Sequence, residues 1–343
     1  MVYVEYPGKP APPPSLILMP YPWQLKQWEQ VRLAADRNML AHALLLSGAE
    51  GSGMGQFTLE FSQYLLCKTP ARGAACEQCR SCILFNAGNH PDIRLISPED
   101  NGSQIKVDAI RDMIAYLQLS NQYGRRKIAV IEPAEGMNRH SANSLLKTLE
   151  EPTLSTLLIL VSYQPAKLQV TIRSRCRNIS FNRPDRQSAS RWLSKRINDP
   201  ARIDDLLELA GGAPLKALDL DENGALQNRE EMMEDLQEAC LPNTDPVRIA
   251  EKWQKHDVTE VMNRLLLLFS KMAVMRASGA GETTREPVFD GKLRRIANGL
   301  LLDSLLDCYD MSLKNYHLLT TQTNLNKQGL LEEIIVHWQS IHG

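Results

Sequence analysis

Net charge is what this chain has least of: 39 lysines and arginines face 40 aspartates and glutamates, leaving −1 at pH 7. Proteins that hold nucleic acid unaided usually carry a basic excess, so the balance argues against strong autonomous binding and leaves room only for a local basic patch. No apolar run approaches the length of a membrane span, and the N-terminus lacks the apolar core of a secretory signal. Together these absences predict a cytoplasmic protein. Internal repeats are missing, as are low-complexity tracts beyond a proline-rich start. In a reducing compartment the seven cysteines point to a metal or to isolated thiols rather than to disulfides.

What is present describes an ordinary globular chain. Its 343 residues, 43% hydrophobic and 23% charged, suffice for two or three domains. Residues 1–16 (MVYVEYPGKPAPPPSL) read as a loose arm. Gln24 to Leu40 reads as a helix, and strands are expected at Leu44–Leu46, Asp92–Ile96, Lys127–Ile131, Leu157–Val161 and Asn178–Phe181. Between them, helical spacing links Phe57, Phe61, Tyr64 and Leu65, then Val107, Ile110, Ile114 and Leu117, then Ala142, Leu145, Leu146 and Leu149. Strands alternating with helices predict an α/β unit with a parallel sheet. After Pro184 the pattern turns helical: Arg186–Ile197, Ile203–Leu209, and a third helix around Leu215–Leu218 after the turn Gly211–Pro214. The last helix carries Leu331, Ile334, Ile335 and Trp338 on one stripe.

The stretch LLLSGAEGSGMGQFT (44–58) joins an apolar strand to a helix through a glycine-rich turn, the context of a phosphate-binding loop. Gly48 and Gly53 fall on the two template glycines, with Gly51 between them. Met54 then replaces the lysine, and Gly55 replaces the serine or threonine. A thioether cannot meet the β/γ-phosphates with a charge, and glycine has no hydroxyl for Mg²⁺. The strand expected to supply the acidic partners ends Ile131-Glu132-Pro133-Ala134-Glu135. Glu132 can stand where a metal-anchoring acid would, but Pro133 cannot polarise water. Two independent defects predict a nucleotide-binding fold without its own catalysis.

Cys67, Cys76, Cys79 and Cys82 are spaced C-x8-C-x2-C-x2-C. Thiolates this dense suit one tetrahedral Zn²⁺. Unconnected thiols or an iron–sulfur cluster are the alternatives, although the ferredoxin spacing is not matched. His90 reads as a nearby surface or loop residue and not as a ligand. No aromatic-basic interleaving surrounds Cys76–Cys82, which speaks against a free-standing zinc-dependent nucleic-acid module.

The segments SANSLLKTLEEP (141–152) and Thr171-Ile172-Arg173-Ser174-Arg175-Cys176, taken with the glycine loop and the four cysteines, resemble the clamp-loader ATPase family of bacterial DNA polymerase III. Within that family the missing lysine and the Glu132-Pro133 pair resemble the subunit type that does not hydrolyse ATP, not the ATP-hydrolysing tau/gamma subunit. The resemblance implies a P-loop NTPase-like (AAA+) domain with a zinc module, then a small helical lid and an all-α collar. The expected boundaries are 17–182 with the module at 67–82, 183–228, and 229–343. It implies that Ser174-Arg175-Cys176 is a trans-acting motif, with Arg175 reaching a neighbour's ATP site. It implies structural Zn²⁺, no ATP hydrolysed by this chain, and tau/gamma and delta subunits as partners. The sliding clamp and primed DNA would be met through the assembled complex, part of a DNA-directed DNA polymerase (nucleotidyltransferase) holoenzyme. Lys147, Glu150 and Glu151 form a polar helix face, solvated unless the family's assembly gives it an intersubunit role. The turn Gly211–Pro214 falls at the family's second nucleotide sensor but lacks arginine, Lys216 being the nearest cation. The alternative is a clamp-loader-type ATPase with an unconventional phosphate loop, in which Lys127 or another cation replaces the missing lysine.

Overall fold

The computed structural model describes residues 20–98, 104–123, 125–153, 155–241, 244–278, 288–321 and 325–341. The arm expected at 1–16 lies outside the described residues. The chain divides into two compact units between Asp219 and Leu220.

The first unit is built on five parallel strands, β1 (Ala43–Gly48), β2 (Ile93–Ile96), β3 (Lys127–Ile131), β4 (Thr156–Ser162) and β5 (Arg177–Phe181), in the order β2-β3-β4-β1-β5. Helices α1 (Leu25–Asp36), α2 (Met54–Leu66), α3 (Arg80–Asn86), α4 (Val107–Gln118), α5 (Arg139–Glu150) and α6 (Val170–Arg173) connect and cover them. Near-continuous apolar strands work because both faces are packed. In β1, Leu44 and Leu46 join Phe57, Phe61 and Ile159 on one side, while Ala43 and Leu45 join Ile110, Leu145 and Leu160 on the other. Every strand expected from the sequence is present, within a residue or two at its ends.

Aromatic rings fix α1 on α2. Trp28 meets Phe57, Phe61 and Tyr64 edge-on at 5.6, 6.0 and 5.9 Å, an arrangement that favours the ring quadrupoles. Helix α5 starts with the Asn138 side chain accepting the Ser141 N–H at 2.9 Å, and Pro152 blocks its continuation. Three further helices follow: α7 (Arg186–Leu193), α8 (Ile203–Leu209) and α9 (Pro214–Glu222), the last running across the unit boundary. Helix α7 ends four residues earlier than its polar-apolar pattern suggests.

The second unit is helical throughout its described residues: α10 (Ala225–Ala239), α11 (Pro246–Gln254), α12 (Val258–Ser278), α13 (Val288–Asn298), α14 (Leu302–Thr321) and α15 (Lys327–Ser340). Leu331, Ile334, Ile335 and Trp338 are all buried in its core, as the stripe predicts. Trp338 Nε1 donates to the Leu236 carbonyl at 2.8 Å, and Asp235 accepts from Trp253 Nε1 at 2.8 Å, so neither indole is left unpaired. Among the described residues no helix is long and apolar enough to cross a membrane.

One acid in α2 is half-buried. Burial pushes the Glu60 carboxyl up from 4.5 to about 7, with a Gln56 hydrogen bond opposing the shift. The folded chain keeps this proton to about pH 7, whereas the unfolded chain releases it near 4.5. Stability from this group is therefore complete below 4.5 and is lost as pH rises through 7. Glu60→Gln should flatten that slope and raise stability at pH 8 by roughly 2–3 kcal/mol, read from urea unfolding at pH 5 and pH 8.

Candidate functional site

The loops after β1, β3 and β4 converge at the carboxyl ends of the strands, where open α/β sheets bind ligands. The glycine loop does have the backbone the sequence suggests. Gly51 and Gly53 adopt left-handed φ values of 76° and 85°, and Gly53 caps α2. A Cβ on Gly48 would stand 2.6 Å from the Phe181 carbonyl oxygen, so only glycine fits there.

The chain's own side chains and backbone pack against this loop. Trp23 Nε1 and Gln24 Nε2 both donate to the Ser52 carbonyl, at 3.0 and 2.9 Å. The Leu215 N–H approaches the Gly51 carbonyl at 3.3 Å. The Tyr21 ring lies so close to Gly53 that a Cβ there would be 2.5 Å away. Tyr21 stacks on Trp23 at 5.0 Å, and Trp192 meets both edge-on at 5.6 and 5.5 Å, with the Arg196 guanidinium 3.8 Å from its ring. Tyr21 is buried, which raises its phenol to about 12.

The two substituted positions are packed as well. Met54 is 1% exposed and turned into the core beneath the loop. At Gly55 an added Cβ would lie 2.9 Å from Glu132 Oε1. The missing side chain is thus replaced by the carboxylate that would otherwise share a Mg²⁺ with it. Glu132 is buried and accepts a hydrogen bond from the Tyr163 hydroxyl. Its other oxygen, Oε2, is buried with no hydrogen-bond partner among the described residues. Burial and the carboxylates of Glu132, Glu50 and Glu135 all hold the Tyr163 phenol protonated far above its ordinary range. Glu135 is occupied with the Tyr163 and Gln164 N–H groups, both at 2.9 Å.

Lys127 does not reach this site. It begins β3 whereas Glu132 follows its end, a separation of about 16 Å along an extended strand. Its buried ammonium pairs with Asp92 at 3.4 Å and lies 4.3 Å from the Tyr116 ring centroid. Lys216 contributes Cβ and backbone contacts to Gly51.

Cys67, Cys76, Cys79 and Cys82 come together with their sulfurs all within 4.8 Å of one another, and could hold a metal ion. Backbone N–H groups point at the sulfurs: Cys76 N to Cys67 Sγ at 3.2 Å and Cys79 N to Cys76 Sγ at 3.3 Å. A hydrogen bond from Thr69 lowers the Cys76 thiol to about 6, while burial raises Cys82. His90 is not a ligand, as expected, but neither is it a surface residue. It is 4% exposed, with Nε2 2.8 Å from Ser81 Oγ and Nδ1 accepting the Asp92 N–H at 3.1 Å. It ties the cysteine module to β2.

Arg175 sits on the outside, between α6 and the edge strand β5. Its Nη2 pairs with Glu150 at 2.6 Å and its Nη1 donates to the Thr171 carbonyl at 3.0 Å. Ser174 Oγ donates to the same carbonyl at 3.1 Å. Cys176 is half-buried, with its thiol raised to about 11 by burial, which makes it inert. Sequence reasoning missed Tyr21, Trp23 and Tyr163. The loop and acidic partners that give them a place at this site (Ser52, Gly53, Glu132 and Glu135) are 28 or more residues away in the chain, and no local spacing marks them.

Residues 23–185 match the family model described as "DNA polymerase III, delta subunit", and residues 223–340 match the one described as its C-terminal part. The chain is 33% identical to DNA polymerase III subunit delta' of Pseudomonas aeruginosa, over 94% of this chain and 98% of that one. Against the delta' subunit of Escherichia coli it is 29% identical, over 92% and 94% respectively. Among solved structures, a DNA polymerase III gamma subunit-related protein of Thermotoga maritima shares the fold with a TM-score of 0.51 at 19% identity, over 92% of this chain and all of that one. On sequence over nearly its whole length, and on the AAA+ arrangement of its sheet and loops, this chain belongs to the delta' subunit family of DNA polymerase III.

Proposed function

We propose that this chain is a non-hydrolysing clamp-loader subunit that acts in the cytoplasm and lends Arg175 to the ATP site of a neighbouring tau/gamma subunit. With the delta subunit the ring would open a sliding clamp and place it on primed DNA. In this reading residues 17–182 are the ATPase-like domain, 183–228 the lid, and 229–343 the collar through which the ring assembles.

One contrast supports it above all. A phosphate loop with Tyr21, Trp23 and Gln24 packed against it stands in the same unit as an outward arginine whose side chain is 36% exposed. The reaction needs positive charge at the transferring γ-phosphoryl group, and a guanidinium fork supplies it with two parallel donors. Ser174 braces the turn that presents Arg175. An ATPase with an unconventional loop would need a substitute cation, and Lys127 is committed to Asp92 at the far end of β3.

The four cysteines fit Zn²⁺. A tetrahedral ion with Zn–S bonds near 2.3 Å sets sulfurs about 3.8 Å apart, compatible with the spread present here. Bound by all four, the ion has no open position, so its contribution is to folding. Cys67, Cys76, Cys79 and Cys82 close the loop between α2 and α3 around it, with Cys82 anchored in α3.

Two outcomes are expected. In a reconstituted loader, Arg175→Ala lowers ATP turnover at the adjoining site by on the order of 10³-fold, seen as a loss of DNA-stimulated phosphate release; unchanged release would remove the finger. Elemental analysis should find one zinc per chain, and Cys76→Ser with Cys79→Ser should abolish it and lower the thermal midpoint by roughly 5–10 °C.

A further inference from the structure

We propose that Glu150 is a positioning residue for Arg175, holding the guanidinium in the geometry from which it meets a neighbour's triphosphate. The inference rests on the reading of Arg175 as a trans-acting finger.

Glu150 is misplaced for its own helix. It is the last residue of α5, with Glu151 at the cap. The carbonyl end of a helix carries partial negative charge, so a carboxylate there is locally unfavourable. A side chain that breaks a local rule usually serves something beyond the helix. Here the Glu150 carboxylate reaches Arg175 Nη2 at 2.6 Å.

The arginines near the motif discriminate further. Arg173, Arg175 and Arg177 are all exposed residues. Among the described residues Arg173 and Arg177 make no ion pair or side-chain hydrogen bond, while Arg175 is fixed at two points, Glu150 and the Thr171 carbonyl. Those anchors occupy one N–H on each terminal nitrogen. Nε–H and one N–H on each Nη remain, enough for a bidentate grip on phosphate oxygens. A free arginine loses rotamer freedom when it docks; one already held loses less. The anchors also link two elements. Glu150 ends the helix that follows the β3 loop, and Thr171 belongs to α6, so the guanidinium is placed by the fold rather than by its own flexible stem.

The test is a double-mutant cycle in the reconstituted loader with its ATPase subunits, a sliding clamp and primed DNA. Wild type, Glu150→Gln, Arg175→Ala and the double variant are compared for DNA-stimulated ATP turnover, as kcat and KM for ATP separately. Glu150→Gln keeps size and removes the charge at a half-exposed position, so folding is retained; a melt of each variant verifies this. The expected result is a kcat about three- to tenfold lower with KM unchanged, and a double variant no slower than Arg175→Ala alone. Glu150→Asp, which restores the charge on a shorter arm, should recover part of the loss. Normal kcat in Glu150→Gln, beside a defective Arg175→Ala, would overturn the positioning role and leave the finger standing. A faster DNA-independent rate in Glu150→Gln would also overturn it, by making Glu150 a restraint. Losses that add in the double variant would show that Glu150 acts elsewhere. Normal turnover in Arg175→Ala would instead remove the finger, and this inference with it.

Discussion

Two side-chain donors on one carbonyl oxygen, Trp23 and Gln24 on Ser52, hold the glycine loop against the segment before α1, and the rest of the site depends on that packing. A phosphate loop works by leaving its backbone N–H groups free to face an anion. Here the loop keeps the glycines that let it turn, yet rings and an amide from the segment before α1 lie against it. Tyr21 covers Gly53, Met54 is drawn inward, and Glu132 fills the place of the side chain that Gly55 lacks. Each substitution removes a group that catalysis needs, and the chain's own side chains pack against the loop in their place. The fold is retained because β1, the loop and α2 still form the centre of the sheet.

With the loop packed in this way, the charge arrangement of the unit makes sense as a whole. Acids gather round Tyr163, while the arginines of the α6–β5 turn face outward. Helix α5 connects the two regions. It follows the loop that carries Glu132 and ends on Glu150, the partner of Arg175. The cysteine module is braced in turn: Ser81, next to Cys82, meets His90, and the neighbouring Asp92 holds Lys127. This buried polar chain fixes the module to the β2–β3 edge.

Period and composition made most of the fold legible. Lys127–Ile131 and Leu157–Val161 are short continuous apolar runs, which is how strands buried on both faces read, and α15 shows its stripe without ambiguity. The cysteines declared themselves by spacing. What stayed hidden was produced by tertiary contact. The residues Tyr21-Pro22-Trp23 look like a lead-in to a helix until the fold brings them to a loop some thirty residues away. Glu150 looks like a solvated charge until Arg175 arrives beside it. His90 looks like a loop residue because histidine carries no sign of burial, and only Ser81 and the Asp92 amide reveal it.

We infer that a loop packed in this way against its own chain holds no nucleotide. Titration calorimetry of Mg-ATP into the full-length protein, and into a Met54→Lys, Gly55→Ser variant, tests it most directly. The packed loop predicts no saturable heat for either protein up to about 1 mM, equivalent to less than about 4 kcal/mol of binding. A dissociation constant in the micromolar range for the natural chain would contradict it, and one for the variant alone would show that the missing lysine, not the packing of Tyr21 and Trp23, keeps nucleotide out.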